Sequence, residues 1–201
     1  MLFRSYTSRW AGTLVGARLA QAASNSVAIG GTSAGLAVLG QSAYVDLPWD
    51  RVGSTFATQR PLDDRINVAR QGTSGLPFAA LSTGVTSPFN DLTFDTHFSK
   101  RDRMGRLITF AARSRTLGVG IDEKTALLIE PAARRDWRWT VSGDGAVYVV
   151  GQTRMIRGLQ PITAWSLQTS RLTTSEIGVI RLDSSNTAGG ILRSEEHTSE
   201  L

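Results

Sequence analysis

The segment Val27–Ala28–Ile29–Gly30–Gly31–Thr32–Ser33–Ala34–Gly35 constrains the fold more than any other part of this chain. Three apolar residues of the kind found in buried strands run into paired glycines. Ala34 to Leu39 then reads as a helix that Gly40 ends. A strand, a sharp turn and a helix in that order belong to an α/β architecture. The turn also spells G-x-S-x-G. In such an elbow the serine is held in a strained conformation, and glycines flank it because side chains there would strike the neighbouring strand and helix. The hydroxyl is then presented at the start of the helix, where the N–H of Ala34 can face a developing oxyanion. The same letters also suit a tight glycine turn with a capping serine. Other glycine loops do not fit. Thr32 stands where a dinucleotide fingerprint needs glycine, and no lysine is near enough for a P-loop.

With 201 residues the chain has the length of one domain and can bury a core without staples. It has no cysteine, which excludes disulfides, thiolate zinc sites and a cysteine nucleophile but leaves the compartment open. The formal charge of +5 is carried almost wholly by arginine, and Lys100 and Lys124 are the only lysines. Apart from the dense run Lys100 to Arg106 the basic residues are scattered, as on a solvated surface rather than a nucleic-acid interface. Ser26 to Gly40 is apolar but too short to span a membrane. Arg4, Arg9 and Arg18 interrupt any apolar stretch of a signal peptide.

The last nine residues, RSEEHTSEL, look like the in-frame translation of a common sequencing adapter. The natural domain is therefore read as residues 1–192, with 193–201 set aside. Removing them takes away His197 and leaves His97 as the only histidine.

Along the chain, Thr13 to Ala23 reads as an amphipathic helix with Leu14, Ala17, Leu19 and Ala20 inward. Asp46 to Pro88 is polar and proline-broken, a long excursion over the surface with one short buried segment at Phe78–Leu81. Leu92–Thr93–Phe94 is a short strand leading into Asp95. Ser99 suits the N-cap of a helix running to about Arg113, with Met104, Leu107, Ile108 and Ala111 as its apolar stripe. Leu117–Ile121 and Ala126–Ile129 are β-like. Trp137–Val141, a turn at Ser142–Gly145 and Ala146–Val150 carry the pattern of a β-hairpin. A last strand pair falls around Ala164–Leu167 and Ile177–Leu182. The sum is an α/β sandwich with a mostly parallel sheet and an antiparallel edge.

A serine nucleophile needs a base. If Ser33 is activated by an imidazole, that imidazole is His97, which follows a strand and precedes a helix at the sheet end where α/β active sites gather. A lone histidine there also suits a surface or cap position. The base needs an orienting carboxylate, and the run GVGIDEKT offers Asp122 and Glu123, between which the spacing does not choose. Arg101, Arg103 and Arg106 fall in the first turns of the helix after His97, where cations oppose the helix dipole at about 0.3–1 kcal/mol each. Either they hold an acidic substrate group, or they pair with Asp95, Asp102 or other surface acids.

IGGTSAGLAVLG, DTHFSKRDRMGRL and GVGIDEKTALLI, in that order, resemble cyanophycinase and its relatives among the serine peptidases of the peptidase E superfamily. The preceding YTSRWAGTLVGARLAQA is similar too, so the likeness spans roughly Tyr6 to Val150. It implies a flavodoxin-like three-layer α/β/α sandwich whose first strands precede Met1. It also implies Ser33 as nucleophile, His97 as general base and Glu123 rather than Asp122 as the orienting acid. Asp95, Arg101, Arg103 and Arg106 match positions associated with substrate binding. The substrate implied is a peptide or a cyanophycin-like polymer with β-Asp-Arg linkages, cut through an acyl-enzyme. The alternatives are an aspartyl or isoaspartyl dipeptidase of the same superfamily, or a non-catalytic binding domain. No metal, cofactor, nucleic acid or membrane enters the expectation, and a homodimer is compatible with it. The chain departs from the pattern at Thr96, where the best-established cyanophycinases carry glutamine. The upstream Gly-Gly-x-Gln loop of the family is absent from the sequence.

Overall fold

The computed structural model describes residues 13–25, 27–44, 52–66, 68–70, 92–131, 137–152, 163–168, 174–184 and 191–192. The expected segment at Phe78–Leu81 and the tail at 193–201 lie outside the described residues. The helices are α1 (Leu14–Ser24), α2 (Ala34–Ala37), α3 (Ser54–Gln59) and α4 (Met104–Ser114). The strands are β1 (Ser42–Tyr44), β2 (Val68–Arg70), β3 (Leu92–Thr96), β4 (Leu117–Ile121), β5 (Thr125–Pro131), β6 (Trp137–Gly143), β7 (Val147–Gln152), β8 (Thr163–Gln168), β9 (Thr174–Leu182) and β10 (Ile191–Leu192).

The fold is α/β. A mixed seven-stranded sheet has the order β2-β1-β3-β4-β7-β9-β8, and a three-stranded sheet has the order β10-β6-β5. β3 pairs parallel to both β1 and β4. β2 flanks this parallel centre antiparallel on one side, and β7, β9 and β8 continue it antiparallel on the other.

The period-2 alternation of the strands divides the apolar residues between two cores. Leu117, Val119 and Ile121 of β4 and Val147 and Val149 of β7 face one side. There they meet Trp139 and Val141 of the second sheet, with Leu19, Ile29 and Leu36 packed around them. On the other side Leu107, Ile108 and Ala111 of α4, with Phe98, pack against Val150 and Val179. Each large side chain buried in this way contributes about 1.5–3 kcal/mol. The apolar stripe expected for α4 is therefore its buried face, with Met104 partly covered at its start.

Four local expectations are corrected. Val27–Ile29 is not a buried strand. It forms no ladder among the described residues. Val27 is 55% exposed, and only Ile29 reaches the core. A strand exists only through its partner, and apolar composition supplies none. Helix α1 is present, but Leu14 is 73% exposed and Ala17 also faces outward; Leu19 packs inward, and the side chain of Ala20 lies outside the described residues. Ser99 opens a short 3₁₀ turn, Ser99–Arg101, and Arg103 is the N-cap of α4. The left-handed Asp102, φ 47°, separates the two and restarts the helix. Trp137–Val150 is not a hairpin either. β6 pairs β5 in the second sheet, with Thr125 opposite Gly143, whereas β7 pairs β4 in the first. The glycine-rich turn carries the chain from one sheet to the other.

The excursion from Asp46 is more structured than its composition suggests. Val52, Ala57 of α3 and Ile66 are buried with Tyr44 and Phe110 in a third apolar cluster. This cluster packs α3 against α4 and so braces the helix that follows the candidate site.

Candidate active site

β3 and β4 are parallel neighbours in register, with Thr96 opposite Ile121. Both chains therefore leave the sheet at the same end, the edge at which α/β folds place their sites. β3 delivers His97 and β4 delivers Asp122 and Glu123. Phe98 fixes the first of these loops. Its ring is buried against Gly120, where an added Cβ would lie 2.4 Å from it, and its N–H donates to the Ile121 carbonyl at 3.3 Å. A glycine in β4 thus makes the room that seats the residue next to His97.

Ser33 occupies a tight turn at φ 50°, ψ −122°, a region that strains any residue other than glycine by about 1–3 kcal/mol. Gly31 is required beside it, since a Cβ there would lie 2.4 Å from the Gly35 carbonyl oxygen. Gly35 itself faces open space, so the expected clash exists on only one side of the serine. Ser33 forms no capping hydrogen bond, which removes the reading of a glycine turn with a capping serine. Its Oγ lies 3.1 Å from His97 Nε2 instead.

His97 Nδ1 lies 2.8 Å from Glu123 Oε1. An ionised carboxylate only accepts, so Nδ1 carries the proton, and in the neutral ring Nε2 accepts from the Ser33 hydroxyl. Glu123 is held below its ordinary pKa by the hydrogen bond from Lys100 and then by that from His97. Lys100 Nζ donates to the second oxygen, Oε2, at 2.9 Å. The spacing had left Asp122 and Glu123 open, and the geometry separates them. Asp122 turns away from the imidazole. Its Oδ1 accepts the Ser99 N–H at 2.9 Å and its Oδ2 the Ala146 N–H at 3.1 Å. It thereby fastens the loop bearing His97 and the turn before β7 to the loop bearing Glu123.

Asp95 points to the α4 side of the sheet and is buried. Arg106 grips it through both oxygens, at 2.6 and 2.7 Å, and Arg103 Nη1 donates to Oδ1 at 2.9 Å and to the Thr96 carbonyl at 2.6 Å. Burial pushes the Arg103 pKa down, and the Asp95 charge opposes that. Of the two uses considered for the arginines, pairing with Asp95 is the one seen for Arg103 and Arg106. Arg101 lies ahead of the helix rather than in its first turn. It is exposed, and its side chain makes no hydrogen bond or ion pair among the described residues.

Ser33, His97 and Glu123 thus come together from three separate loops, with Asp95, Arg103 and Arg106 forming a second group beneath His97. Sequence reasoning missed Lys100 and the fastening by Asp122. The pairing of two charged loops across parallel strands was the one available signal for Lys100. Among the described residues no group of three or more histidine, aspartate or glutamate side chains is arranged to hold a metal ion. No described helix is long and apolar enough to cross a membrane.

No protein-family model matches the chain. Curated proteins do. The chain is 36% identical over 123 residues to the cyanophycinases of Synechococcus elongatus and Thermosynechococcus vestitus, covering 61% of this chain and 30% of each of those. It is 33% identical over 134 residues to the cyanophycinase of Trichormus variabilis, 66% of this chain and 36% of that one. The chain thus spans about a third of the length of the curated relatives it matches. Over these residues the chain is similar to part of the cyanophycinases.

Proposed function

We propose that this chain carries the catalytic centre of a serine-type peptidase that cuts cyanophycin-like β-Asp-Arg linkages through an acyl-enzyme. One observation carries the reading: the unbroken relay from Ser33 Oγ through His97 Nε2 and Nδ1 to Glu123 Oε1, at 3.1 and 2.8 Å. The curated relatives, named cyanophycinases, supply the substrate class.

In this mechanism His97 Nε2 takes the hydroxyl proton as Ser33 Oγ attacks the amide carbonyl. The N–H of Ala34, which donates to no carbonyl among the described residues, faces the oxyanion. Glu123 holds the imidazolium. The C–N bond then breaks, and His97 returns its proton to the leaving amine. Water next loses a proton to His97 Nε2 and attacks the ester carbonyl, and as the C–O bond breaks the imidazolium returns that proton to Ser33 Oγ, which releases the acid and restores Ser33. No metal or cofactor enters these steps. The flavodoxin-like sandwich belongs to the same proposal. It is supported by the parallel β1-β3-β4 centre with α4 on one face and α1 and α2 on the other.

A second reading, an aspartyl or isoaspartyl dipeptidase, draws on one observation. Asp95 is already held by two arginines, so it is not available to the guanidinium of a β-Asp-Arg unit. Hydrolysis of β-Asp-Arg and α-Asp-X peptides by the wild type and by Ser33→Ala, with a fluorophosphonate label on Ser33, tests both readings. Loss of turnover and label in Ser33→Ala supports a serine enzyme, and the preferred peptide chooses between them. Turnover unchanged in Ser33→Ala would remove both, and a wild type that takes neither label nor substrate would point to a non-catalytic binding domain.

A further inference from the structure

We infer that Lys100 is a positioning residue of the relay, an ammonium that holds the Glu123 carboxylate in the orientation in which it accepts from His97. The inference rests on the serine-peptidase reading for its meaning but not for its test.

Glu123 Oε1 serves His97 Nδ1 while Oε2 accepts from Lys100 Nζ at 2.9 Å. The two donors share one carboxylate, so the lysine charge acts on the imidazole through the group that orients it. Lys100 is itself anchored. The Ser99 N–H is tied to Asp122 Oδ1, and the Arg101 N–H donates to the His97 carbonyl at 3.1 Å. The turn that carries Lys100 is therefore closed over the loop that carries His97. The chain otherwise uses arginine for its basic side chains, yet both its lysines border this acid, Lys100 in contact with it and Lys124 next to it in sequence. As a stability device the pair counts for little, because the Lys100 side chain is 71% exposed. As a positioning device it has a defined geometry: the ammonium on Oε2 fixes the plane of the carboxylate and leaves Oε1 to His97 Nδ1.

The other charged groups of the surrounding loops are accounted for. Asp95 is held by Arg103 and Arg106, and Asp122 by two backbone N–H groups. Arg101, Asp102, Lys124 and Asp144 are exposed. Among the described residues the polar side-chain partners of His97 are Ser33 and Glu123 alone.

The test is the downfield ¹H NMR signal of the His97 Nδ1–H in the full chain, assigned with His97→Gln, together with steady-state kinetics on a β-Asp-Arg peptide. Lys100→Met is expected to shift or broaden that signal and to lower kcat by about fivefold with KM unchanged, the worth of one charge pair at this separation in a largely aqueous medium. Lys100→Arg, which keeps the charge, should restore both, and about 0.5 M salt should shrink the difference between Lys100→Met and wild type. An Nδ1–H signal and a kcat unmoved in Lys100→Met overturn the inference. If the signal moves but Ser33→Ala hydrolyses the peptide like wild type, the positioning stands and the nucleophile assignment falls.

Discussion

Ser33 sits at φ 50°, ψ −122°, and the strain there gives a stability difference that can be worked out in advance. Consider Ser33→Ala and Ser33→Gly as a pair. Both lack the hydroxyl, so both lose the hydrogen bond to His97 and neither can form an acyl-enzyme. They differ only in the Cβ. Alanine pays for the strained conformation with about 1–3 kcal/mol. Glycine does not, but it loses about 0.5–1 kcal/mol more conformational freedom on folding. The net expectation is that Ser33→Gly is more stable than Ser33→Ala by about 1 kcal/mol. With a urea m-value of about 2 kcal/mol/M this separates the two midpoints by about 0.5 M. The fluorescence of Trp139, buried on β6, can follow the transition. The m-values of the two variants should agree, since neither changes the surface exposed on unfolding. If Ser33→Ala is as stable as Ser33→Gly or more so, the serine is not held in a strained turn. The elbow would then lose the feature that distinguishes it from an ordinary glycine loop.

Other consequences can be checked alongside. Gly120→Ala sets a methyl against the Phe98 ring and should destabilise by about 1–3 kcal/mol, with a fall in kcat because Phe98 seats His97, both read by urea melts and steady-state kinetics. Asp95→Ala leaves two guanidiniums, 16% and 13% exposed, without their shared carboxylate. It should lower stability by about 3–5 kcal/mol in the same melts, and a double-mutant cycle with Arg106→Ala should show that the two losses do not add. The Asp63 carboxyl, held by the Arg65 side chain and backbone N–H, should titrate at about 2 rather than 3.8, and ¹³C NMR of Arg65→Met should return it toward 3.8. The Glu123 pKa is lowered in the folded chain, so its stabilising effect is full above 4.5 and lost as pH falls through the lower folded value. The stability gap between wild type and Glu123→Gln, measured by melts across that range, should therefore close in acid.

Much of the site was legible in the sequence because its parts are local. The Gly31 close approach, the β3 strand into Asp95 and His97, and the β4 strand into Asp122 and Glu123 each depend on a few consecutive residues. The turn before β7 was illegible for the opposite reason. Ser142–Gly145 has hairpin chemistry, and nothing nearby shows that β7 instead finds β4 while β6 finds β5. Strand partners are fixed by burial of a whole face, which a short window does not contain. The same holds for Val27–Ile29, whose apolar letters look alike with or without a neighbouring strand.

A further part was hidden because it breaks a local rule. Left-handed backbone is expected at glycine or asparagine, yet Ser33, His97 and Lys124 all have positive φ, at 50°, 50° and 55°. Each lies on one of the three loops that meet at the site, at the hydroxyl, at the imidazole and beside the carboxylate. Arg115 has a structural reason for its φ of 57°, since it ends α4 with its N–H on the Ala111 carbonyl. Asp102 has one as well, separating the 3₁₀ turn from α4. The other three share no such role in their elements. Their common property is that each turns the chain sharply just where a polar side chain must leave the sheet edge and meet two others. Propensity fails there because packing of Phe98 on Gly120 and of α2 on Gly31 holds the loops against their preference. If that holds, relaxing any one of the three backbones should loosen the relay more than it loosens the fold.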